Sequence, residues 1–122
     1  MANKKVLIVE DNPTLIKALK AKFEKSQFKV AYAMDGEEGI YAFEKENPDI
    51  IILDIAMPKK DGFEVLEHLR NTLKSDVPVI ILSNSKDLSL VDRAKALNVH
   101  TYLLKADTSL VTLVENVVKL TS

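Results

Sequence analysis

The chain has 122 residues, of which 47% are hydrophobic and 29% charged, a mixture typical of one globular domain with a single core. Its formal net charge of −1 gives no reason to expect direct nucleic-acid or membrane binding. Cysteine is absent, which excludes disulfide bonds and thiolate metal sites. The first apolar run, Val6 to Val9, is too short for a signal peptide or a membrane span. We therefore expect a single cytoplasmic domain over residues 1–122.

Five strand patterns alternate with five helix patterns along the chain. The strands are predicted at 5–10, 28–33, 49–54, 78–83 and 100–105, and the helices at 13–26, 36–46, 62–73, 87–97 and 108–120. Three strands are unbroken aliphatic runs, as expected when helices cover both faces of a sheet. Lys29 interrupts the second strand, which we place at an edge. Strict alternation of strand and helix predicts a doubly wound parallel sheet of the α/β class with right-handed crossovers.

Capping residues support the predicted helix boundaries. Asp35 with Glu38, and Asp61 with Glu64, have the spacing of a capping box. Asn98 follows the fourth helix, at a position that often needs a left-handed backbone.

The last predicted helix carries an apolar band wider than one buried face needs. The band consists of Leu110, Val111, Leu113, Val114, Val117, Val118 and Leu120. Two interpretations remain open: a deeply buried helix, or a surface for a partner protein or a second copy.

Four of the predicted strands end on polar side chains able to do chemistry. These side chains are Glu10 with Asp11, Asp54, Ser83 and Lys105. The carboxyl ends of parallel strands lie side by side, at the edge where open α/β sheets bind ligands. From Asp11 to Asp54 is 43 residues, and the next two intervals are 29 and 22 residues, which fits one or two strand–helix units each. We therefore expect all of these side chains at one edge of the sheet.

This set of side chains suits a divalent cation and a phosphoryl group. Glu10, Asp11 and Asp54 cannot all stay ionised at close range unless a cation compensates their charge. Mg²⁺ prefers oxygen ligands and keeps several waters, which fits a site with two or three carboxylates. An ionised Asp54 is a competent nucleophile toward an activated phosphate and would form an aspartyl phosphate. Mg²⁺ and Lys105 would offset the charge on the transferring oxygens.

Four segments with these residues also match a known family in order and spacing. They are Leu7–Asn12, Asp49–Pro58 followed by Asp61-Gly62, Val77–Ser83, and Tyr102–Lys105. Together they resemble the receiver domain of two-component response regulators, over essentially the whole chain. The resemblance implies a flavodoxin-like fold with strand order 2-1-3-4-5. It also implies that the protein is a signalling switch and not an enzyme. The only reactions that such a switch catalyses are its own Mg²⁺-dependent phosphorylation and dephosphorylation.

The resemblance assigns roles to the site residues. It implies that Asp54 accepts the phosphoryl group, and that the donor is a phosphohistidine on a sensor histidine kinase or a phosphotransfer protein. Lys105 matches the lysine that binds the phosphate. The implied Mg²⁺ ligands are Asp11 directly, Glu10 through water, Asp54, and the backbone carbonyl of Ala56.

Two further residues match the family's switch. Ser83 corresponds to the hydroxyl that bonds the phosphoryl group, and Tyr102 to the aromatic that changes rotamer on activation. By the resemblance, phosphorylation draws Ser83 inward and lets Tyr102 turn, which shifts the surface formed by the fourth helix, fifth strand and fifth helix. This is a population shift between two states. A downstream protein or a second copy would bind that surface.

The chain departs from the family pattern at three positions. Ala106 follows Lys105 where the family usually has proline after a cis bond, and we expect a trans bond because a cis bond before a non-proline residue costs about 2.5–4 kcal/mol. Asn84 replaces a common small residue after Ser83, where it can crowd or hydrogen-bond the site. Lys60 stands in the loop before Asp61-Gly62, where the family frequently has a hydrophobic residue. None of these removes a residue needed for phosphorylation.

Other functions fit the residues less well. A phosphatase or phosphotransferase of the haloacid-dehalogenase type needs a second Asp two residues after the nucleophile, where this chain has Ala56. A flavin protein of the same fold needs a phosphate-binding loop after the first strand, and Glu10 and Asp11 would repel a phosphate there. A degenerate receiver that only binds partners would not need the acidic pair. His68 and His100 belong to no recognisable cluster and are expected to have no catalytic role, with His68 on an exposed helix face.

Overall fold

The computed structural model describes residues 4–57 and 59–122, and these form a five-stranded parallel sheet. The strands are β1 (Lys5–Val9), β2 (Lys29–Ala33), β3 (Ile50–Leu53), β4 (Val79–Ser83) and β5 (Thr101–Leu104). Their order across the sheet is β2-β1-β3-β4-β5. The predicted parallel sheet, its strand order and the edge position of the second strand are therefore confirmed. No described helix is long and apolar enough to cross a membrane.

In these two described ranges, five α-helices cover the sheet: α1 (Pro13–Lys25), α2 (Gly36–Glu46), α3 (Gly62–Glu67), α4 (Leu88–Ala96) and α5 (Leu110–Thr121). The prediction of one α-helix over 62–73 was wrong after Glu67, because a π-helical turn at His68–Thr72 continues α3. The fourth and fifth helices begin later than predicted because Asp87 and Ser109 act as their N-caps. Lys105, predicted to end the last strand, lies in a short 3₁₀ turn just after β5.

Two apolar clusters fill the space on either side of the sheet. Alternate residues of each strand face opposite sides, so Val6 and Ile8 of β1 lie in the cluster with α1 and α5, whereas Leu7 and Val9 lie in the cluster that includes residues of α2, α3 and α4. Strands β1, β3 and β4 are buried on both faces, which explains their unbroken aliphatic sequences. The polar ends of these three strands are therefore held by the most buried part of the fold.

The apolar band of α5 divides into a buried and an exposed part. Leu113, Val114 and Val117 are buried against the sheet, whereas Val111 and Val118 are exposed. Burial therefore accounts for only part of the band.

The two expected capping boxes differ. At α3 the box is confirmed: Glu64 N–H donates to Asp61 Oδ1 at 2.9 Å, and Asp61 N–H donates to Glu64 Oε1 at 3.1 Å. At α2 only half of it forms, because Asp35 accepts from Glu38 N–H at 2.9 Å while Glu38 Oε1 accepts from Met34 N–H at 3.2 Å. The second bond is made one residue earlier than expected.

The start of α3 packs directly against the end of β3. Gly62 N–H donates to the carbonyl of Ile55 at 2.8 Å. A Cβ at position 62 would collide with the backbone carbonyl oxygen of Asp54. Only glycine permits this approach, so the first residue of α3 fixes the backbone of the residue that follows β3.

Candidate functional site

The predicted site residues meet in a cleft of about 670 Å³ at the carboxyl end of the sheet. Glu10 and Asp54 directly follow the adjacent strands β1 and β3, and Ser83 is the last residue of the next strand, β4. The two carboxylates are almost fully buried, with exposures of 2% and 5%, and Ser83 is buried as well. The expectation from parallel strands, that these side chains share one edge of the sheet, therefore agrees with the structure.

Three carboxylates of the cleft lie close enough to share one cation. Oxygen atoms of Glu10, Asp11 and Asp54 lie within 4.8 Å of one another, and Asp11 is exposed to solvent while the other two are buried. Carboxylate oxygens are the ligands that Mg²⁺ prefers, and the exposed side leaves room for its waters. The donor set and its geometry therefore fit Mg²⁺.

Lys105 bridges two of these carboxylates. Its Nζ atom lies 2.9 Å from Glu10 Oε1 and 3.3 Å from Asp54 Oδ2. The side chain reaches the cleft from the turn after β5, although Lys105 is not part of that strand. The Lys105–Ala106 peptide bond is trans, as expected for a residue followed by alanine. One ammonium group thus partly balances two buried carboxylates.

Burial raises the pKa of both buried carboxyl groups. For Glu10 the hydrogen bond from Lys105 offsets part of this effect and the nearby charge of Asp54 adds to it. For Asp54 the charge and hydrogen bond of Lys105 offset part of it. The folded state therefore binds protons at these groups more tightly than the unfolded state. The stability that this contributes is present below the ordinary carboxyl pKa and is lost as the pH rises through the raised values. Ionisation of the site thus costs stability, and a bound cation would recover some of it.

Burial alone would lower the pKa of Lys105, but its hydrogen bond to Glu10 and the charges of Asp54 and Glu10 outweigh burial, so the pKa is raised. The ammonium group is therefore charged at neutral pH and remains available to pair with an anion in the cleft.

Ser83 and Tyr102 are joined through a residue that the sequence did not single out. Ser85 N–H donates to Ser83 Oγ at 3.0 Å, and the Tyr102 hydroxyl donates to the carbonyl oxygen of Ser85 at 3.0 Å. Ser85 lies in the segment between β4 and α4. Both predicted switch side chains therefore hold the same residue of the loop that leads into α4. No sequence signal marks Ser85, because the contact depends on the conformation of that loop.

The remaining predicted residues lie in or near the cleft. Ala56 lines it and donates a long hydrogen bond, 3.4 Å, from its N–H to Asp54 Oδ1. Asn84 also lines it and is exposed. The two histidines do not line it: His68 is half-buried in the π-helical turn rather than exposed as expected, and the exposed His100 has Nδ1 2.7 Å from the hydroxyl of Thr101.

A comparison with known proteins identifies the family. The family model "Response regulator receiver domain" matches residues 6–117. Alkaline phosphatase synthesis transcriptional regulatory protein PhoP of Bacillus subtilis is 41% identical over 81 residues, which are 66% of this chain and 33% of that protein. Probable transcriptional regulator ycf27 of Porphyridium aerugineum is 33% identical over 105 residues, which are 86% of this chain and 43% of that protein.

The fold has close structural relatives. CheY in the CheX-CheY-BeF3-Mg²⁺ complex of Borrelia burgdorferi is 29% identical, with a TM-score of 0.85, and the match covers 95% of this chain and 87% of that one. The chain spans less than half the length of the curated relatives it matches. The strand order, the polar cleft and the match over residues 6–117 lead to one conclusion. The chain belongs to the response regulator receiver domain family, the phosphorylation-activated switches of two-component systems.

Proposed function

We propose that Asp54 accepts a phosphoryl group from a phosphohistidine of a sensor histidine kinase or a phosphotransfer protein. A carboxylate oxygen of Asp54 attacks the phosphorus atom, and the phosphorus–nitrogen bond breaks. The electron pair stays on the imidazole nitrogen, which is protonated as it leaves, and an aspartyl phosphate remains. The main support is the position of Asp54, buried at 5% exposure, 3.3 Å from Lys105 Nζ and grouped with two further carboxylates.

The neighbouring residues divide the remaining work. Glu10, Asp11, Asp54 and the carbonyl of Ala56 would hold Mg²⁺, which when bound offsets the negative charge of the transferring oxygens. Lys105 adds a second positive charge beside Asp54 and would pair with the new phosphoryl group. Ser83 Oγ accepts from Ser85 N–H, so its own hydrogen stays free to be donated to that group.

The signal would leave the site through Ser85, the loop residue that is hydrogen-bonded to both Ser83 and Tyr102. A hydrogen bond from Ser83 to the phosphoryl group would move Ser83, and with it the loop that Tyr102 also holds. The states that differ in this loop would present different α4–β5–α5 surfaces to a downstream protein or a second copy. On this proposal the domain, spanning residues 1–122, acts through protein contacts and catalyses only its own phosphorylation and dephosphorylation. The relative from Borrelia burgdorferi, whose complex contains Mg²⁺ and CheX, supports the choice of cation and a protein partner.

Intact-mass measurement after incubation with Mg²⁺ and a small acyl-phosphate donor tests this proposal. We expect one added phosphoryl group on the wild type and none on Asp54→Asn, and we expect no addition to either protein when Mg²⁺ is omitted from the incubation. Asp92→Asn, an exposed change of the same chemistry on α4, is the matched control and should be labelled like the wild type. Equal labelling of Asp54→Asn would refute the assignment. A wild type that neither an acyl phosphate nor a phosphorylated histidine kinase labels would favour a degenerate, partner-binding receiver.

A further inference from the structure

The free edge of the sheet at β2 separates two helices of opposite charge. α1 carries four lysines and one glutamate, whereas α2 carries four glutamates and one lysine. Among the residues that the structure describes, β2 pairs only with β1, and α1 and α2 pack on opposite faces of the sheet beside it. The same edge therefore presents a basic surface on one face and an acidic surface on the other.

On the basic side, a groove of about 320 Å³ lies between α1 and β2. Its walls are largely apolar, and two large side chains in it are exposed, Tyr32 at 53% and Met34 at 36%. The residues lining the groove are Pro13, Ile16, Lys17, Lys20, Tyr32 and Met34. The groove is therefore an apolar slot with two ammonium groups at its rim, one of which, on Lys20, makes an exposed 3.3 Å pair with Glu24.

On the acidic side, α2 presents a side chain that would fill such a slot. Tyr41 is 67% exposed, the highest value of any aromatic residue in the part of the chain described. Glu37 and Glu44, four residues before and three after it, lie on the same side of the helix and are exposed. We call these three residues the α2 stripe: an aromatic side chain at the centre, with a carboxylate about one helical turn away on each side.

We propose that these two surfaces bind each other in a symmetric dimer of this chain. Tyr41 of one copy enters the groove of the other, and Glu37 and Glu44 pair with Lys17 and Lys20. A two-fold axis that runs beside β2, parallel to the strands, exchanges the two faces of the sheet. It therefore brings α1 of each copy next to α2 of the other, and the contact is made twice.

A second copy fits this edge better than an unrelated acidic helix. An acidic helix would fill the groove but leave the stripe on α2 without a partner, whereas one two-fold axis satisfies both surfaces. The dimer also covers the unpaired edge of β2, which proteins usually protect. The tyrosine would supply most of the affinity, and the charged pairs at the rim would set the orientation.

Sedimentation velocity with two charge-reversal variants tests the dimer. In the variant K17E/K20E both the groove and the α2 stripe are acidic, and in E37K/E44K both surfaces are basic. Two copies of the same variant should therefore repel each other and dimerise at least about tenfold more weakly than the wild type. An equal mixture of the two should recover dimers of twice the 13.6 kDa monomer mass, because both contacts are then attractive. The wild-type dimer should weaken with added salt.

Control variants distinguish this interface from a dimer that forms elsewhere on the surface. K22E/K25E changes the same helix by the same charge but does not alter the groove lining, and it should dimerise like the wild type. Tyr41→Ser removes the aromatic side chain without a charge change and should also weaken the dimer, which keeps the proposal testable if a charge variant fails to fold. A wild type that stays monomeric at millimolar concentration, or a mixture that stays monomeric, would overturn the proposal. So would a wild-type dimer that the α5 variant Val118→Glu disrupts while the charge variants leave it intact.

Discussion

α1 and α4 are both short helices packed on the sheet, but they are attached in different ways. α1 buries Ile16, Leu19 and Phe23, whereas the only buried residue of α4 is Ala94. Few buried apolar contacts mean a low free energy of local opening. α1 thus belongs to the stable part of the fold, and α4, which follows the site loop, to the part that can move at low cost.

α4 is held at its C-terminal end by polar contacts instead. Arg70, in the π-helical turn, donates from Nε to the carbonyl of Leu97 at 2.9 Å and from Nη2 to that of Asn98 at 3.1 Å. Its Nη1 donates to the carbonyl of Ser75 at 3.0 Å. The opposite end of α4 is joined to the loop that contains Ser85. The helix is therefore anchored away from the site and connected to the site at its other end.

The largest expected effect comes from truncating the buried face of α1. Phe23 is fully buried and packs edge-on against Phe28 with ring centroids 5.5 Å apart, so Phe23→Ala should cost about 3–5 kcal/mol of unfolding free energy. In α4, Leu90 is only half-buried, so Leu90→Ala should lower the unfolding free energy by only about 1–2 kcal/mol. Urea unfolding measures both. Similar losses for the two variants would mean that α4 is as firmly packed as α1.

The anchor of α4 should give the next largest effect. Arg70→Met keeps the stem of the side chain but removes three hydrogen bonds to backbone carbonyls, and we expect a loss of about 1–3 kcal/mol with faster amide exchange in α4 than in α1. Arg93→Met is the matched variant, since Arg93 makes an exposed 3.2 Å pair with Glu67 and lies over the Phe63 ring. It should cost at most about 1 kcal/mol. If Arg93→Met were the more damaging change, the anchor would be misassigned.

The N-caps of the two helices should differ in their pH dependence. Asn12 Oδ1 accepts from the N–H groups of Thr14 and Leu15 at 2.9 and 3.3 Å, and Asn12→Ala should cost about 0.5–2 kcal/mol at every pH. Asp87 Oδ1 accepts from the hydroxyl and N–H of Ser89 at 2.8 and 2.9 Å, and these hydrogen bonds lower the pKa of Asp87.

For a lowered carboxyl pKa, the stability is present above the ordinary pKa and is lost as the pH falls through the lowered value. Asp87→Ala should therefore lower the melting temperature at pH 7 and have a much smaller effect near about pH 2. Thermal unfolding of both variants at the two pH values checks this. A pH-independent loss for Asp87→Ala would show that its charge is not involved in the cap.

The sheet was predictable from the sequence because its signal is local. Aliphatic runs such as Ile50–Leu53, buried between two helical layers, give strand boundaries within one residue of those observed. The π-helical turn after α3 was not predictable. It presents Arg70 to carbonyl groups 27 and 28 residues further along the chain, and such contacts leave no local pattern.

The candidate site, like the fold, was predictable from the sequence only in part. The parallel direction of the strands was enough to predict that Glu10, Asp54 and Ser83 would lie together, because the carboxyl ends of parallel strands share one edge. The contacts of Lys105 with Glu10 and Asp54, and the hydrogen bonds that join Ser85 to Ser83 and Tyr102, depend on the conformations of loops. The sequence pattern does not specify those conformations. The roles of these residues in phosphoryl transfer remain predictions for the experiments above.

The contact between Gly62 and the backbone of Asp54 affects how site competence should be judged in related sequences. A survey that checks only the acidic residues, the hydroxyl and the lysine would accept a chain with alanine at position 62. In such a chain a single methyl group would push the end of β3 away from α3 and displace the carboxylate, although every reactive side chain is present. A mutational library that randomises position 62 should therefore return glycine alone among its functional members.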